Sequence, residues 1–158
     1  MKSIIAGSFL VTGLFAVLVP SLAAGSSAAG GQVQTIHTIM KTTAFTEVDA
    51  DRNGKESVGD YTVTQVVHLD PGTGKKVGTG VAICTQVTPN GDLFDCQGND
   101  VLPGGELREA GRFTVGKTWH LSILGGSGRF DGASGSVDGT WLNSKLTRSK
   151  DVFTIKLA

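Results

Sequence analysis

The chain has 158 residues, with 14 basic side chains balanced by 14 acidic ones, 23 glycines and two cysteines. This balance, without a basic stripe, speaks against a nucleic-acid partner. The length is sufficient for one domain with a single core.

The first 24 residues have the pattern of a secretory signal peptide. Lys2 gives a positive start, residues 4–19 are apolar, and small residues offer a cleavage site near Ala23 or Ala24. The apolar run is shorter than the roughly 20 residues that a membrane-spanning helix needs. We therefore expect a secreted protein whose mature chain has no membrane span; an uncleaved membrane anchor is the alternative.

Small residues follow this leader and predict a flexible tether over 25–31. The remaining residues, 32–158, form one domain in this interpretation. Helical periodicity is absent there, whereas short runs of alternating apolar and polar residues recur between glycine-rich turns. This pattern predicts an all-β domain, either a closed barrel or a sandwich.

An acidic segment with calcium-loop spacing comes first in this domain. Asp49, Asp51 and Asn53 occupy positions one, three and five, Gly54 position six, and Asp60 position twelve. These oxygen-bearing residues match the ligand spacing of a calcium loop, although no helices flank it. Calcium is the one cofactor that the sequence suggests, and a solvated acidic loop between two strands is the alternative.

Several strand-like runs place their apolar side chains on one face. We expect these faces to bound a lumen. The predicted lining residues are Val63, Val67, Trp119, Leu121, Ile123, Phe153 and Ile155. One face of the run 77–87 instead carries only Gly78, Gly80, Ala82 and Cys84. Such small residues indicate close approach of another group, or space for a ligand.

The two cysteines lie on either side of a turn. The turn at 89–92 would fold 83–87 against 93–97 and place Cys84 opposite Cys96. In an oxidising compartment this arrangement predicts a disulfide, with two free thiols as the alternative.

Two further patterns predict little chemistry. Residues 111–118 match the phosphate-binding loop of nucleotide hydrolases, but a strand pattern follows where that loop requires a helix. His37, His68 and His120 lie in separate runs without metal-ligand spacing, so each is expected to be a lone strand residue.

The stretch LSILGGSGRFDGASG, residues 121–135, carries a family resemblance. It resembles the glycine-rich hairpin of allene oxide cyclases and dirigent proteins. Weaker similarities at 58–60, 75–79 and 102–107 occur in the same order as in bacterial allene-oxide-cyclase-like proteins, so the resemblance covers roughly 32–158.

The resemblance implies an eight-stranded antiparallel barrel, a homotrimer and an apolar cavity that steers cyclisation without a bound cofactor. The family's reactive residues do not transfer. Met40 stands where plant allene oxide cyclases carry a glutamate, their cavity cysteine falls on Cys84, and Arg129 and Ser134 replace the Asp and Arg of many dirigent hairpins. The fold is therefore expected to transfer and the reaction is not.

Three functions remain open at this point. The first is an exported cyclase or isomerase for an apolar small molecule, with Tyr61, Trp119 and Arg129 as candidate catalytic or orienting residues. The second is a barrel that carries such a molecule without turnover, and the third is a structural protein whose barrel is filled by side chains. An acid or base buried in a real cavity would favour the first function, and a filled lumen the third.

Overall fold

The computed structural model describes residues 31–158, so the leader at 1–24 and residues 25–30 of the tether lie outside the described residues. Eight antiparallel strands form a closed barrel in chain order, and the last strand pairs with the first. The predicted all-β barrel is confirmed. The strands are β1 (Val33–Val48), β2 (Tyr61–Leu69), β3 (Lys76–Gln86), β4 (Leu93–Leu102), β5 (Gly105–Thr114), β6 (Thr118–Gly128), β7 (Ser134–Trp141) and β8 (Arg148–Lys156). Residues 31–158 contain no helix long and apolar enough to cross a membrane.

The glycine-rich stretch at the end of β6 is a bend that brings backbones together. A Cβ atom on Gly126 would lie 2.4 Å from the Glu106 carbonyl oxygen, and one on Gly135 would lie 1.9 Å from that of Thr154. Gly128 adopts a φ of 63°, in the left-handed region. Only glycine tolerates such approaches and such a conformation without strain. These glycines therefore shape the hairpin.

The stretch that matches a phosphate-binding loop has a strand–turn–strand structure. It runs from the end of β5 through 115–117 into β6. A phosphate loop depends on a helix N-terminus, which is missing here. This match is therefore a coincidence of sequence letters.

One end of the barrel is filled by apolar side chains. Predicted lumen residues Ile123, Phe153 and Ile155 lie there and are at most 3% exposed. They pack with the other buried side chains of this end, namely Leu102, Leu107, Phe130, Ala133 and Val137. These three residues therefore point inward as predicted, but they belong to a packed plug.

The disulfide prediction is confirmed in this structure. Cys84 of β3 pairs with Cys96 of β4 across the hairpin, and the two are bonded. Both side chains lie on the wall of the barrel interior. Cross-links of this kind typically stabilise a domain by about 2–4 kcal/mol.

The prediction that Val63 and Val67 line the lumen is wrong. The inward face of β2 carries Thr62, Thr64, Val66 and His68, while the two valines lie half-buried on the outside. β2 has apolar residues on both faces, so hydrophobicity alone does not determine its orientation. In the inward row, His68 has the polar partners Thr38 and Asp100, whereas Thr62 and Thr64 line the interior of the barrel.

Candidate functional site

The other end of the barrel is hollow. A cavity of about 430 Å³ opens there, beside the loop that joins β7 to β8. Most of its walls are apolar, and the aliphatic and small residues among them include Met40, Val66, Ala82, Val115, Leu121 and Leu146. The volume falls in the range of small-molecule sites, which are concave and mostly apolar with a few polar groups.

Four aromatic side chains form a belt around the cavity. The ring centroids of Phe94 and Phe113 are 6.3 Å apart. Trp141 lies 6.4 Å from Phe113 and 6.4 Å from Trp119. All four rings line the cavity. Aromatic rings that line a cavity can pack against a flat apolar ligand by offset stacking or edge-on contact.

Two carboxyl groups lie at the floor of this cavity. Asp100 of β4 and Glu109 of β5 both line it, although Glu109 is only 5% exposed. Glu109 pairs with Gly98, two residues from Asp100, so the two side chains are diagonal neighbours on one face. Gly98 has no side chain to separate them.

A buried histidine holds Asp100 in place. His68 Nε2 lies 2.8 Å from Asp100 Oδ1, and His68 Nδ1 lies 3.1 Å from Thr38 Oγ1. His68 and Thr38 are both nearly inaccessible to solvent. Because both ring nitrogens have partners, the orientation of the ring is fixed. His68 is therefore part of a polar network, and the prediction of a lone strand histidine is wrong.

The Glu109 carboxyl is held in its neutral form. Burial, together with the charge of Asp100 and a hydrogen bond shared with it, raises the pKa of Glu109 to about 11. One of its carboxyl oxygens, Oε1, has no hydrogen-bond partner among the described residues. A neutral carboxyl in an apolar cavity is a hydrogen-bond donor and a possible general acid.

The pKa of Asp100 is shifted in the opposite direction. Burial works to raise its pKa, but hydrogen bonds from His68 and Glu109 outweigh that effect and lower the pKa. Burial likewise disfavours the His68 cation, yet the hydrogen bond and charge of Asp100 raise the pKa of His68. These shifts favour the imidazolium form of His68 and the carboxylate form of Asp100, next to a neutral acid.

A third carboxyl group lies behind the pair. Asp151 Oδ1 accepts a hydrogen bond from Ser149 Oγ, and both side chains are fully buried. Burial raises the pKa of Asp151 to about 6. Its second oxygen has no partner among the described residues.

The candidate residues Tyr61, Trp119 and Arg129 do not come together. Trp119 lines the cavity, with its indole against the backbone of Gly139 and its N–H unpaired among the described residues. Tyr61 lines an adjoining cavity of about 450 Å³. Arg129 lies on the exterior of the filled end, where it donates hydrogen bonds to Gln34 Oε1 and the Pro103 carbonyl. Arg129 therefore lies away from the cavity, contrary to the expectation that it orients a bound molecule together with Tyr61 and Trp119.

The acidic loop brings together three of its four predicted calcium ligands. Single carboxylate oxygens of Asp49, Asp51 and Asp60 lie within 4.8 Å of one another. These carboxylates also accept backbone N–H groups, for example Gly54 N–H on Asp49 at 2.7 Å. The amide oxygen of Asn53 instead accepts the Lys55 N–H at 2.7 Å. The turn is thus ordered by its own hydrogen bonds, and calcium binding stays a prediction.

Thermal unfolding tests the calcium prediction. A ligand that binds only the folded protein raises the unfolding midpoint, so calcium at about millimolar concentration should raise it relative to chelator. An Asp51→Asn variant should lose this increase because the site would lose a charged ligand. Equal midpoints for the wild type with calcium and with chelator would contradict the prediction.

Solved structures with the same fold include enzymes and a dirigent protein. A pyocyanin demethylase superposes with a TM-score of 0.65 at 19% identity, covering 78% of this chain and 100% of its own. The pterocarpan synthase dirigent protein PsPTS1 gives 0.65 at 17%, covering 80% and 97%. The Diels-Alderase AbmU from Streptomyces koyangensis gives 0.66 at 14%, covering 80% and 64%. These similarities show the dirigent and cyclase barrel fold, as the glycine hairpin predicts.

Comparisons by sequence give a different result. No family model matches the chain, and no curated protein matches it. Any functional assignment must therefore come from the site itself.

Proposed function

We propose that this protein binds an apolar small molecule in the hollow end of the barrel and steers its cyclisation or isomerisation. The observation that carries the proposal is the pair of neighbouring carboxyl groups, Glu109 and Asp100, at the floor of an apolar cavity of about 430 Å³. Burial raises the pKa of Glu109 to about 11, which favours its neutral form. Confinement holds reacting atoms close together, and a positioned acid assists bond changes. Structural neighbours that are Diels-Alderases and dirigent proteins support a reaction of this class.

The hollow end argues against a purely structural barrel. Side chains fill only one end of the interior. Burial of an acid in a cavity is costly and needs a compensating role, whereas a carrier of apolar molecules would need no such group. A carrier that binds the molecule without turnover remains the alternative, and a measurement of turnover distinguishes the two functions.

The carrier and the catalyst are distinguished by measuring turnover of substrates that also cyclise spontaneously. We would use a neutral apolar epoxide, a tethered diene–dienophile and a phenol-derived quinone methide, and measure rate and enantiomer ratio by chiral chromatography. The wild type should produce an enantiomeric excess with at least one of them. An Ala82→Leu variant, whose added side chain occupies the cavity, should return racemic product. Racemic product from a wild type that binds the substrate would favour the carrier.

We also propose that the protein is a homotrimer, as the sequence resemblance implies. The outer faces of β2 and β3 support an interface, because Val63 lies opposite Ile83 and Val81 lies next along the same face. Val81 and Ile83 are 41% and 49% exposed in the single chain. Light scattering should give a trimer mass, which Ile83→Glu should reduce to that of a monomer by placing a charge in the interface. A monomeric wild type would contradict this proposal.

Export is the remaining part of the proposal. The disulfide supports it, because such bonds persist mainly in oxidising compartments. N-terminal sequencing of secreted material should find a mature chain that begins near Ala24 or Gly25.

A further inference from the structure

Two carboxyl groups with complementary proton states face one cavity, which suggests a division of labour. We propose that Asp100 and Glu109 form a base–acid couple that moves a proton within a bound, neutral carbonyl compound, with His68 as a positioning residue. This inference rests on the proposed function and adds a substrate class and a reaction step to it.

The carboxyl groups of Asp100 and Glu109 can both contact a ligand in the cavity. They are diagonal neighbours on adjacent strands, and both line the cavity. The backbone also makes room for the base: a Cβ atom on Gly80 would lie 1.9 Å from Asp100 Oδ1. The glycine at position 80 therefore admits the Asp100 carboxylate to the interior. The small-residue face of β3 thus accommodates an internal side chain at this position.

His68 acts on Asp100 and does not reach the ligand. Its two ring nitrogens are taken by Thr38 and Asp100, and the residue is 1% exposed. Its ring packs edge-on against Phe153, with centroids 5.7 Å apart. These contacts fix the carboxylate, and the imidazolium keeps it ionised.

The reaction step balances without a further reactant. Asp100 removes a proton from the carbon next to the carbonyl, and the C–H electron pair forms the enol double bond. Glu109 gives its proton to the carbonyl oxygen. The hydrogen bond between the two carboxyl groups then returns the proton from Asp100 to Glu109. The net change moves one proton from carbon to oxygen. The reverse sequence returns a proton to the same carbon, and in D₂O this is a deuteron once the carboxyl groups have exchanged with solvent.

The charges and walls of the cavity define the substrate class. The carboxylate of Asp100 faces the ligand and Asp151 adds negative charge behind it, so an anion would be repelled. The neutral Glu109 favours a ligand oxygen that accepts a hydrogen bond. The aromatic belt, Phe94, Phe113, Trp119 and Trp141, favours a flat ring system. A neutral, enolisable aromatic ketone meets all three conditions.

Deuterium exchange of 2-tetralone tests the couple. In D₂O the loss of its α-proton NMR signals measures enolisation, and quenching of tryptophan fluorescence measures its binding. The wild type should bind it and accelerate exchange over buffer, and Asp100→Asn and Glu109→Gln should each lose at least about tenfold in rate. Asp95→Asn, on the exposed face of the same strand, should keep the full rate.

The pH profile separates positioning from a structural role. The titratable groups that face Asp100 are His68 from β2, Glu109 from β5 and Asp151 from β8. Without the imidazolium, Asp100 takes up a proton more readily, so in His68→Asn the acid limb of the exchange rate should move to higher pH. A merely structural loss would lower the rate equally at every pH.

Two negative results have different meanings. If 2-tetralone binds and Asp100→Asn exchanges it as fast as the wild type, the base–acid couple is wrong while the binding function survives. If neither 2-tetralone nor a neutral apolar dye binds the wild type, the proposed function itself fails.

Discussion

Replacing Glu109 by glutamine is expected to stabilise the folded protein at alkaline pH and to flatten its pH dependence. The pKa of Glu109 rises from 4.5 to about 11 on folding, chiefly because of burial. The unfolded chain therefore releases a proton that the folded protein retains. Between these two pKa values, each pH unit lowers the free energy of unfolding by about 1.4 kcal/mol. The amide of glutamine keeps the shape of the side chain and has no such proton.

Three other groups also make the free energy of unfolding depend on pH. The pKa of Asp151 is raised from 3.8 to about 6 on folding. Its contribution to the free energy of unfolding is therefore lost as the pH rises between those two values. His68, also raised, stabilises the folded state below its unfolded pKa of 6.5 and loses this contribution as the pH rises through its folded pKa. Asp100 has a lowered pKa, so its contribution disappears only in acid. The difference between wild type and Glu109→Gln at each pH therefore isolates Glu109, because these three groups are present in both proteins. Equal slopes for wild type and Glu109→Gln would contradict the neutral carboxyl.

An apolar dye should bind in the hollow end and lose its affinity when the cavity is filled. A neutral dye such as Nile red should quench tryptophan fluorescence at about micromolar concentration, since Trp119 and Trp141 line the cavity. Ala82→Leu should weaken this binding by at least about tenfold, or roughly 1.4 kcal/mol, because its side chain takes the space of the ligand.

The neighbouring position supplies a matched control. Ile83→Leu changes the outer face of the same strand, at a residue 49% exposed in the single chain, and should leave dye binding unchanged. Gly80→Leu is less suitable, because the Asp100 carboxylate already occupies the space beside Gly80. Equal dye affinity in Ala82→Leu and Ile83→Leu would place the dye elsewhere on the protein.

The sequence predicts the fold well because the fold depends on local signals. Alternation, turn residues and the glycine hairpin are short-range patterns, and they determine the strands and the Cys84–Cys96 pairing. The orientation of β2, by contrast, cannot be predicted from local sequence patterns. Val63 and Val66 are equally apolar, and only closure of the barrel decides which one points inward.

The polar site could not be assembled from sequence because its members lie on separate strands. His68, Asp100, Glu109 and Asp151 belong to β2, β4, β5 and β8. One signal was present in the sequence. Asp100 shares a face of β4 with Cys96, and the hairpin places Cys96 opposite Cys84, on the inner face of the barrel. Alternation along β4 from Cys96 through Gly98 would have placed Asp100 inside the barrel, and alternation along β8 from Phe153 would have placed Asp151 there.

The central claim is a neutral carboxyl at the floor of a hollow barrel, and a carbon-13 NMR titration of the glutamate side-chain carboxyls tests it most directly. One resonance that Glu109→Gln lacks should keep the chemical shift of a protonated carboxyl through about pH 8, since the pKa of Glu109 is about 11. Titration of that resonance near the ordinary glutamate pKa of 4.5 would contradict the account.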